Sequence, residues 1–128
     1  MIDFYQLVQE IKKRPTLYLG RASIFDFQSF YHGYILARNQ LGLPKTIEEK
    51  EFEEFLEWIR SIYPVKTRQS WANIVLFHSA DERDALNKFF ALFEDFRNRD
   101  KNNLKTDEES LNKFFEILGE LQSVYSVQ

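Results

Sequence analysis

Helix-capping residues recur along this chain, and each is followed by apolar residues at helical spacing. Thr46 with Glu49 three residues later matches a capping box, and so does Asp3 with Gln6. Apolar residues at this spacing share one face, and can be buried together, only when the segment that carries them is helical. Because capping and apolar period agree in four or five places, we predict an all-α fold, a compact single-domain bundle of five to six helices over residues 1–128.

The predicted helices start after these caps and stop at proline, glycine or polar segments. Their apolar stripes place them at Phe4–Lys13, Ile24–Gln40, 47–63, 81–96 and 107–122. Two further capping boxes, Ser79 with Glu82 and Thr106 with Glu109, are predicted to begin the last two helices. A polar loop over 97–105 is predicted between them.

The segment Ile24–Gln40 carries aromatic residues on two opposite sides. These sides are lined by Phe27, Phe30, Tyr31, Tyr34 and Leu41 on one face and by Phe25, His32 and Leu36 on the other. A helix that is apolar on two sides is usually buried on both, so we predict that this is the central aromatic helix of the bundle. Gly33 lowers its helix propensity, and a close approach of another helix would explain the glycine.

Two segments are harder to assign. The Ile-Val-Leu-Phe run at 74–77 could form a strand or a helix, because a continuous apolar run has no diagnostic period. A lone strand would leave its backbone groups without partners, so a short buried helix over 70–78 is favoured. The second segment runs from Pro15 to Gly20 and contains three large apolar residues. Pro15 disfavours helix at the residue before it, and Gly20 is a flexible joint. We therefore predict a non-helical segment that docks onto the core.

Composition narrows the possible functions. The chain has no cysteine, which excludes disulfides, thiolate catalysis and cysteine metal sites. Its 13 phenylalanines predict a core of packed rings, with an aromatic ligand pocket as the alternative. A net charge of −3 argues against a general nucleic-acid binder, and the basic cluster at 12–14 is of a kind common at helix ends. With neither a signal peptide nor a membrane-length apolar stretch, we expect a cytoplasmic protein without a membrane partner.

No set of residues indicates catalysis. His78 and Glu82 are four residues apart but have no third metal ligand at a useful spacing, so His78 is interpreted as a helix-boundary residue. His32 is interpreted as a ring buried among aromatic side chains, without a partner to orient it as a base. Nucleophile and phosphate-loop motifs are absent from the sequence. We therefore predict no catalytic residue, cofactor or metal, although carboxylates paired across helices are left open.

Acidic residues are concentrated in the predicted helix 47–63. Glu49, Glu53 and Glu57 are spaced by four and form a ridge of like charge, which destabilises a helix slightly. The ridge is either a solubilising face or a docking surface that steers a basic protein towards the chain. The predicted partner-binding residues are this ridge, its neighbour and a second acidic cluster: Glu49, Glu53, Glu54, Glu57, Asp81, Glu82 and Asp84.

Several short motifs occur in a fixed order along the chain. The first part holds Arg14-Pro15-x-Leu17-Tyr18-Leu19-Gly20, then Ser23-Ile24, Phe27, Phe30 and Gly33-Tyr34. The later part holds Ser70-Trp71, Ile74, Phe77, Asp81-Glu82, Phe89-Phe90 and Leu92. This order and spacing resembles a family of small bacterial proteins, many of which look like immunity proteins of polymorphic-toxin or contact-dependent inhibition systems. Leu17 stands where many members have methionine.

The resemblance implies a small, cytoplasmic, helical protein that binds a cognate toxin domain. It supplies no toxin-binding residue to carry over. The expected function is that of a non-enzymatic immunity protein that occludes the active site of a basic toxin, a nuclease being one candidate class. The alternatives are a regulatory or adaptor module that binds another basic protein, and an enzyme with a pocket lined by Phe and Tyr.

Overall fold

A computed structural model describes residues 2–62, 68–102 and 116–119 of the chain. It contains the helices α1 (Phe4–Lys13), α2 (Pro15–Leu19), α3 (Ile24–Gln40), α4 (Ile47–Ser61), α5 (Trp71–Phe77) and α6 (Glu82–Asn102). Residues 116–119 are also helical, whereas the rest of the helix predicted over 107–122, with its cap at 106 and 109, lies outside the described residues. No strand occurs in the described ranges. The predicted all-α bundle is therefore confirmed.

The core consists largely of interlocking aromatic rings. Phe52 of α4 is fully buried, and its ring centroid lies 5.1 Å from that of Phe4 and 5.0 Å from that of Phe93. Trp71 of α5 stacks on Phe89 of α6 with centroids 4.9 Å apart. Such ring pairs each stabilise a fold by about 0.5–1.5 kcal/mol beyond the apolar area that they bury. The predicted phenylalanine core is confirmed.

Helix α3 is buried only over its first half. Ile24, Phe27 and Tyr31 are buried, and Phe27 packs against rings of both α5 and α6. Beyond Tyr31 the outer face is exposed, which includes His32. The prediction that α3 is buried on two sides is therefore wrong for its second half, because α5 and α6 pack against the start of the helix. The prediction of a buried His32 ring is wrong for the same reason.

The glycine in α3 has no packing role among the described residues. A Cβ placed on Gly33 would meet no atom within 4 Å. The predicted close approach of another helix at this position is wrong, because Gly33 lies on the exposed outer face.

The segment after Pro15 is a short helix, so the prediction of a non-helical segment is wrong. Proline is well suited to the first helical position, where its missing N–H has no intrahelical partner to lose. The helix ends at Gly20, whose φ of 83° favours glycine. The prediction that the three apolar residues dock onto the core is also wrong for Leu17 and Tyr18, which are exposed. Only Leu19 packs partly against the core.

Helix α5 confirms the prediction of a short buried helix. Trp71, Ala72, Ile74 and Val75 are buried, and the Ser70 hydroxyl caps the helix by accepting the Asn73 N–H at 3.2 Å. His78 follows as the C-terminal cap and is buried, in agreement with its interpretation as a helix-boundary residue.

Helix α6 differs from its prediction at both ends. Its N-terminus is capped by Asp81, which accepts the Asp84 N–H at 2.8 Å. The predicted Ser79 capping box is wrong, because the Ser79 hydroxyl donates to the Val75 carbonyl at 2.7 Å. The helix continues to Asn102, so the loop predicted from 97 is wrong up to that residue; 103–105 lie outside the described residues. Arg97 supports this extension by packing its guanidinium 4.2 Å from the centroid of the Tyr5 ring.

Candidate partner-binding surface

The structure divides the predicted acidic ridge of α4 between buried and exposed carboxylates. Glu49 is only 1% exposed, and its Oε2 lies 2.5 Å from Nε of Arg38 in α3. Its Oε1 accepts the backbone N–H of Thr46 at 2.7 Å, which completes the predicted capping box. Glu49 therefore holds two helices together. Its prediction as part of an exposed ridge is wrong, because α3 packs over this carboxylate and supplies the half-buried Arg38 guanidinium that pairs with it.

Three other glutamates of α4 also have partners within the fold. Glu53 forms an ion pair with Lys45. Glu48 accepts the Tyr5 N–H at 3.1 Å, and Glu51 accepts the Tyr5 hydroxyl. Burial and this hydrogen bond to Glu51 raise the pKa of Tyr5 well above its ordinary value. Glu48 and Glu51 thus anchor α1 to α4, whereas Glu53 stays 41% exposed within its ion pair.

Glu54 and Glu57 are the two predicted site residues of α4 that remain accessible. Both are exposed, and neither forms an ion pair within the described part of the chain. Counted from Ile47, they stand seven and ten residues further along α4, and Lys50 stands three residues further. All four positions therefore lie on the same side of the helix. We call these four exposed residues, Ile47, Lys50, Glu54 and Glu57, the α4 outer face.

The second predicted acidic cluster stabilises the start of α6. Asp81 is the helix cap, and Glu82 accepts the hydroxyl of the buried Ser23 at the start of α3. Asp84 accepts the Ala80 N–H at 2.9 Å, and this hydrogen bond, with Lys88 nearby, lowers the pKa of Asp84. Asp81 is exposed and the other two carboxylates are half-buried. Each of the three thus has a structural role.

The structure does not bring the two acidic groups together. Glu82 contacts Ser23 at the start of α3, whereas Glu49 pairs with Arg38 near the end of the same helix. Fifteen residues separate these two anchor points, which corresponds to about 22 Å along a helix. The two acidic groups are therefore anchored at opposite ends of α3.

Three exposed aliphatic residues at the turn between α3 and α4 were not predicted. Leu41 is 73% exposed, Leu43 is 44% exposed and Ile47 is 85% exposed. We call these residues the turn patch; Ile47 belongs to it and to the α4 outer face. The sequence interpretation placed Leu41 on the buried face of α3, and this is wrong because α3 ends at Gln40 and Leu41 is its exposed C-cap. The available signal was a Leu-Gly-Leu-Pro sequence in a turn, where polar residues are usual.

The turn itself is tightly held. Gly42 has φ of 67°, and its N–H donates to the Asn39 carbonyl at 3.1 Å while the Leu43 N–H donates to the Arg38 carbonyl at 3.0 Å. These two bonds form a Schellman motif, which closes the end of α3. The guanidinium of Arg38 also donates to the Pro44 carbonyl at 2.9 Å. The backbone that carries the turn patch is thus held by hydrogen bonds at the end of α3 and at Pro44, just before α4.

Metal-ligating side chains are not clustered in the part of the chain that the structure describes. No group of three or more His, Asp and Glu side chains within these ranges is arranged to hold a metal ion. Of the two histidines, His32 is exposed on α3 and His78 is buried at the end of α5. None of the helices in the described ranges has both the length and the apolar character needed to cross a bilayer.

No protein-family model, curated protein or solved structure gives a match to the chain. The immunity function implied by the sequence resemblance therefore stays a prediction, and the surface must be interpreted from its own residues.

Proposed function

We propose that this chain is a non-enzymatic binding protein whose α4 outer face docks onto a cationic partner protein. Within that class, we propose a cytoplasmic immunity protein that neutralises a cognate toxin domain by covering its active site. One observation carries the proposal: of the six glutamates of α4, four have partners within the fold, whereas Glu54 and Glu57 project side by side into solvent.

The placement of these two carboxylates suits a cationic target. They lie three residues apart on one side of a helix, so the backbone fixes their separation. Exposed carboxylates on a rigid element raise the rate of encounter with a basic partner. A toxin that cleaves nucleic acid binds phosphates with basic side chains, and a pair of carboxylates can occupy the same positions. Lys50 on the same face, and the exposed Arg60 three residues after Glu57, offset part of this negative charge.

Co-expression tests this proposal directly. The probe is the C-terminal domain of the protein encoded immediately upstream of the gene for this chain, which the proposal expects to be toxic when expressed alone. It is expressed with the wild-type chain or with the double variant Glu54→Gln/Glu57→Gln. The wild type should restore growth and co-purify with the domain, and the variant should do both less well. The matched control is Asn87→Lys/Ala91→Lys, which changes the net charge by the same amount at exposed positions of α6.

The outcomes separate the alternatives. Equal rescue by the double variant and the wild type would show that the α4 outer face is not the binding surface. Binding without rescue would favour the regulatory or adaptor alternative, since occlusion of the toxin's active site would then be absent. No binding by the wild-type chain would contradict the immunity proposal as a whole.

A further inference from the structure

We infer that the turn patch is the apolar centre of the same interface, and that it fits an apolar protrusion on the cationic toxin domain. This inference rests on the proposed function. It adds a second type of contact to the carboxylates of the α4 outer face, and it assigns a role to Leu41, Leu43 and Ile47, which do not contribute to the core.

The density of exposed aliphatic side chains distinguishes this turn. Single exposed leucines are common on protein surfaces and require no explanation. Here Leu41, Leu43 and Ile47 fall within seven consecutive residues, and two of them are more than 70% exposed. Several exposed apolar side chains within one short turn are more typical of an interaction site than of an ordinary surface.

Rigidity makes the turn patch suitable for binding. The Schellman motif at Gly42 fixes the backbone that carries Leu41 and Leu43. Arg38 ties this backbone to α4 through the Pro44 carbonyl and Glu49, and the Thr46 capping box fixes the first turn that carries Ile47. Because the turn is ordered before a partner arrives, little conformational entropy would be lost on binding.

Charge complementarity indicates which partner the patch fits. Ile47 lies on the same side of α4 as Glu54, seven residues or about 10 Å away along the helix. A partner that seats on Ile47 and covers the α4 outer face meets Lys50 as well as the two exposed carboxylates. Because the two carboxylates outnumber the single lysine on this face, it favours a basic partner over an acidic one. In such an interface the apolar centre mainly sets the dissociation rate, and the charges mainly set the association rate.

Binding kinetics with the catalytically inactivated upstream toxin domain test the inference. The double variant Leu41→Ser/Ile47→Ser should dissociate at least about tenfold faster than the wild type, with its association rate and the salt dependence of that rate nearly unchanged. The matched control is Leu17→Ser/Phe77→Ser, which removes two other apolar side chains that are 60% or more exposed and should dissociate like the wild type. Thermal unfolding of each variant checks that the fold is retained.

Failure of this inference is distinguishable from failure of the proposed function. One outcome would overturn the inference about the turn patch and leave the proposed function standing. In it, Leu41→Ser/Ile47→Ser dissociates at the wild-type rate, while Glu54→Gln/Glu57→Gln associates more slowly than the wild type. No binding by the wild-type chain would overturn both. If sedimentation of the free chain showed self-association that Leu41→Ser/Ile47→Ser abolishes, the occupant would be a second copy, and the inference would likewise be overturned.

Discussion

Arg38 of α3 and Glu49 of α4 form an ion pair that joins the end of one helix to the start of the next. The Nε and Oε2 atoms lie 2.5 Å apart, and the Glu49 side chain is almost entirely shielded from solvent. A carboxylate in this position must keep its partner, because a buried charge without compensation is strongly destabilising. The most acidic stretch of the sequence therefore contains a structural element of the fold as well as a candidate binding surface.

Removing the Arg38 guanidinium should destabilise the protein substantially. We expect Arg38→Met to lower the free energy of unfolding by about 2–3 kcal/mol, as measured by urea denaturation, because the Glu49 carboxylate stays buried. A second substitution, Glu49→Gln in the Arg38→Met background, should recover part of this loss, since glutamine can keep the capping box without a charge.

The exposed ion pair between Lys45 and Glu53 provides the control for this experiment. Both side chains are more than 40% exposed, so Lys45→Met should change the free energy of unfolding by less than about 0.5 kcal/mol. Equal effects of Arg38→Met and Lys45→Met would contradict the structural role of the buried pair.

Two glycines should respond to alanine substitution with opposite signs. Gly42 has φ of 67° in the Schellman motif, so Gly42→Ala should destabilise the protein by about 1 kcal/mol. Gly33 is helical, and a Cβ there has open space, so Gly33→Ala should stabilise it by about 0.5–1 kcal/mol. Thermal unfolding of the two variants measures both effects. A gain in stability from Gly42→Ala would argue against the observed turn.

Phe52 should be among the most sensitive core positions. Its fully buried ring contacts aromatic rings of α1, α3 and α6, so Phe52→Ala should cost about 3–5 kcal/mol in the free energy of unfolding. The mostly exposed Phe77 offers a matched control, and Phe77→Ala should cost less than about 1 kcal/mol. Comparable losses from the two variants would be incompatible with the ring packing described above.

Stability should fall at alkaline pH in part because of Tyr31. Burial, with Glu53 and Glu49 nearby, raises the pKa of Tyr31 from 10.0 to about 12. The unfolded chain releases this proton near its ordinary pKa while the folded chain retains it. The stabilising contribution is therefore complete below pH 10 and declines as the pH rises towards 12.

Denaturation across this pH window checks the role of the Tyr31 phenol. The free energy of unfolding should fall less steeply with rising pH in Tyr31→Phe than in the wild type. The control Tyr18→Phe removes an exposed phenol from α2 and should leave the slope close to that of the wild type. A wild-type slope in Tyr31→Phe would contradict the buried setting of this phenol.

Local sequence signals predicted the positions of most helices correctly. The bounds of α1 and α3 follow directly from their caps, Asp3 and Ser23, because capping depends on residues close in sequence. Pro15 was misjudged because proline both ends one helix and begins another, and the sequence alone does not decide between these roles. The polar end of α6 was misjudged because Arg97 packs on Tyr5, a contact between distant parts of the chain.

The sequence predicted an acidic surface on the helix that became α4, but not which of its carboxylates are accessible. Helical spacing grouped Glu49 with its neighbours, yet it could not show that Glu49 pairs with Arg38 while Glu54 does not face the core. Partners across helices depend on tertiary packing, which one sequence does not reveal. The exposure of Leu41 was missed for the same reason, since a leucine at helical spacing is ordinarily a core residue.

The association rate of the wild-type chain with the inactivated upstream toxin domain, measured at low and high salt, tests the central claim most directly. If the exposed carboxylates of α4 steer a cationic partner, the rate should fall by about tenfold or more between about 50 and about 500 mM NaCl. In Glu54→Gln/Glu57→Gln this fall should be clearly smaller, and in Asn87→Lys/Ala91→Lys it should stay closer to that of the wild type. An association rate that is insensitive to salt, or equally sensitive in the wild type and Glu54→Gln/Glu57→Gln, would contradict the account.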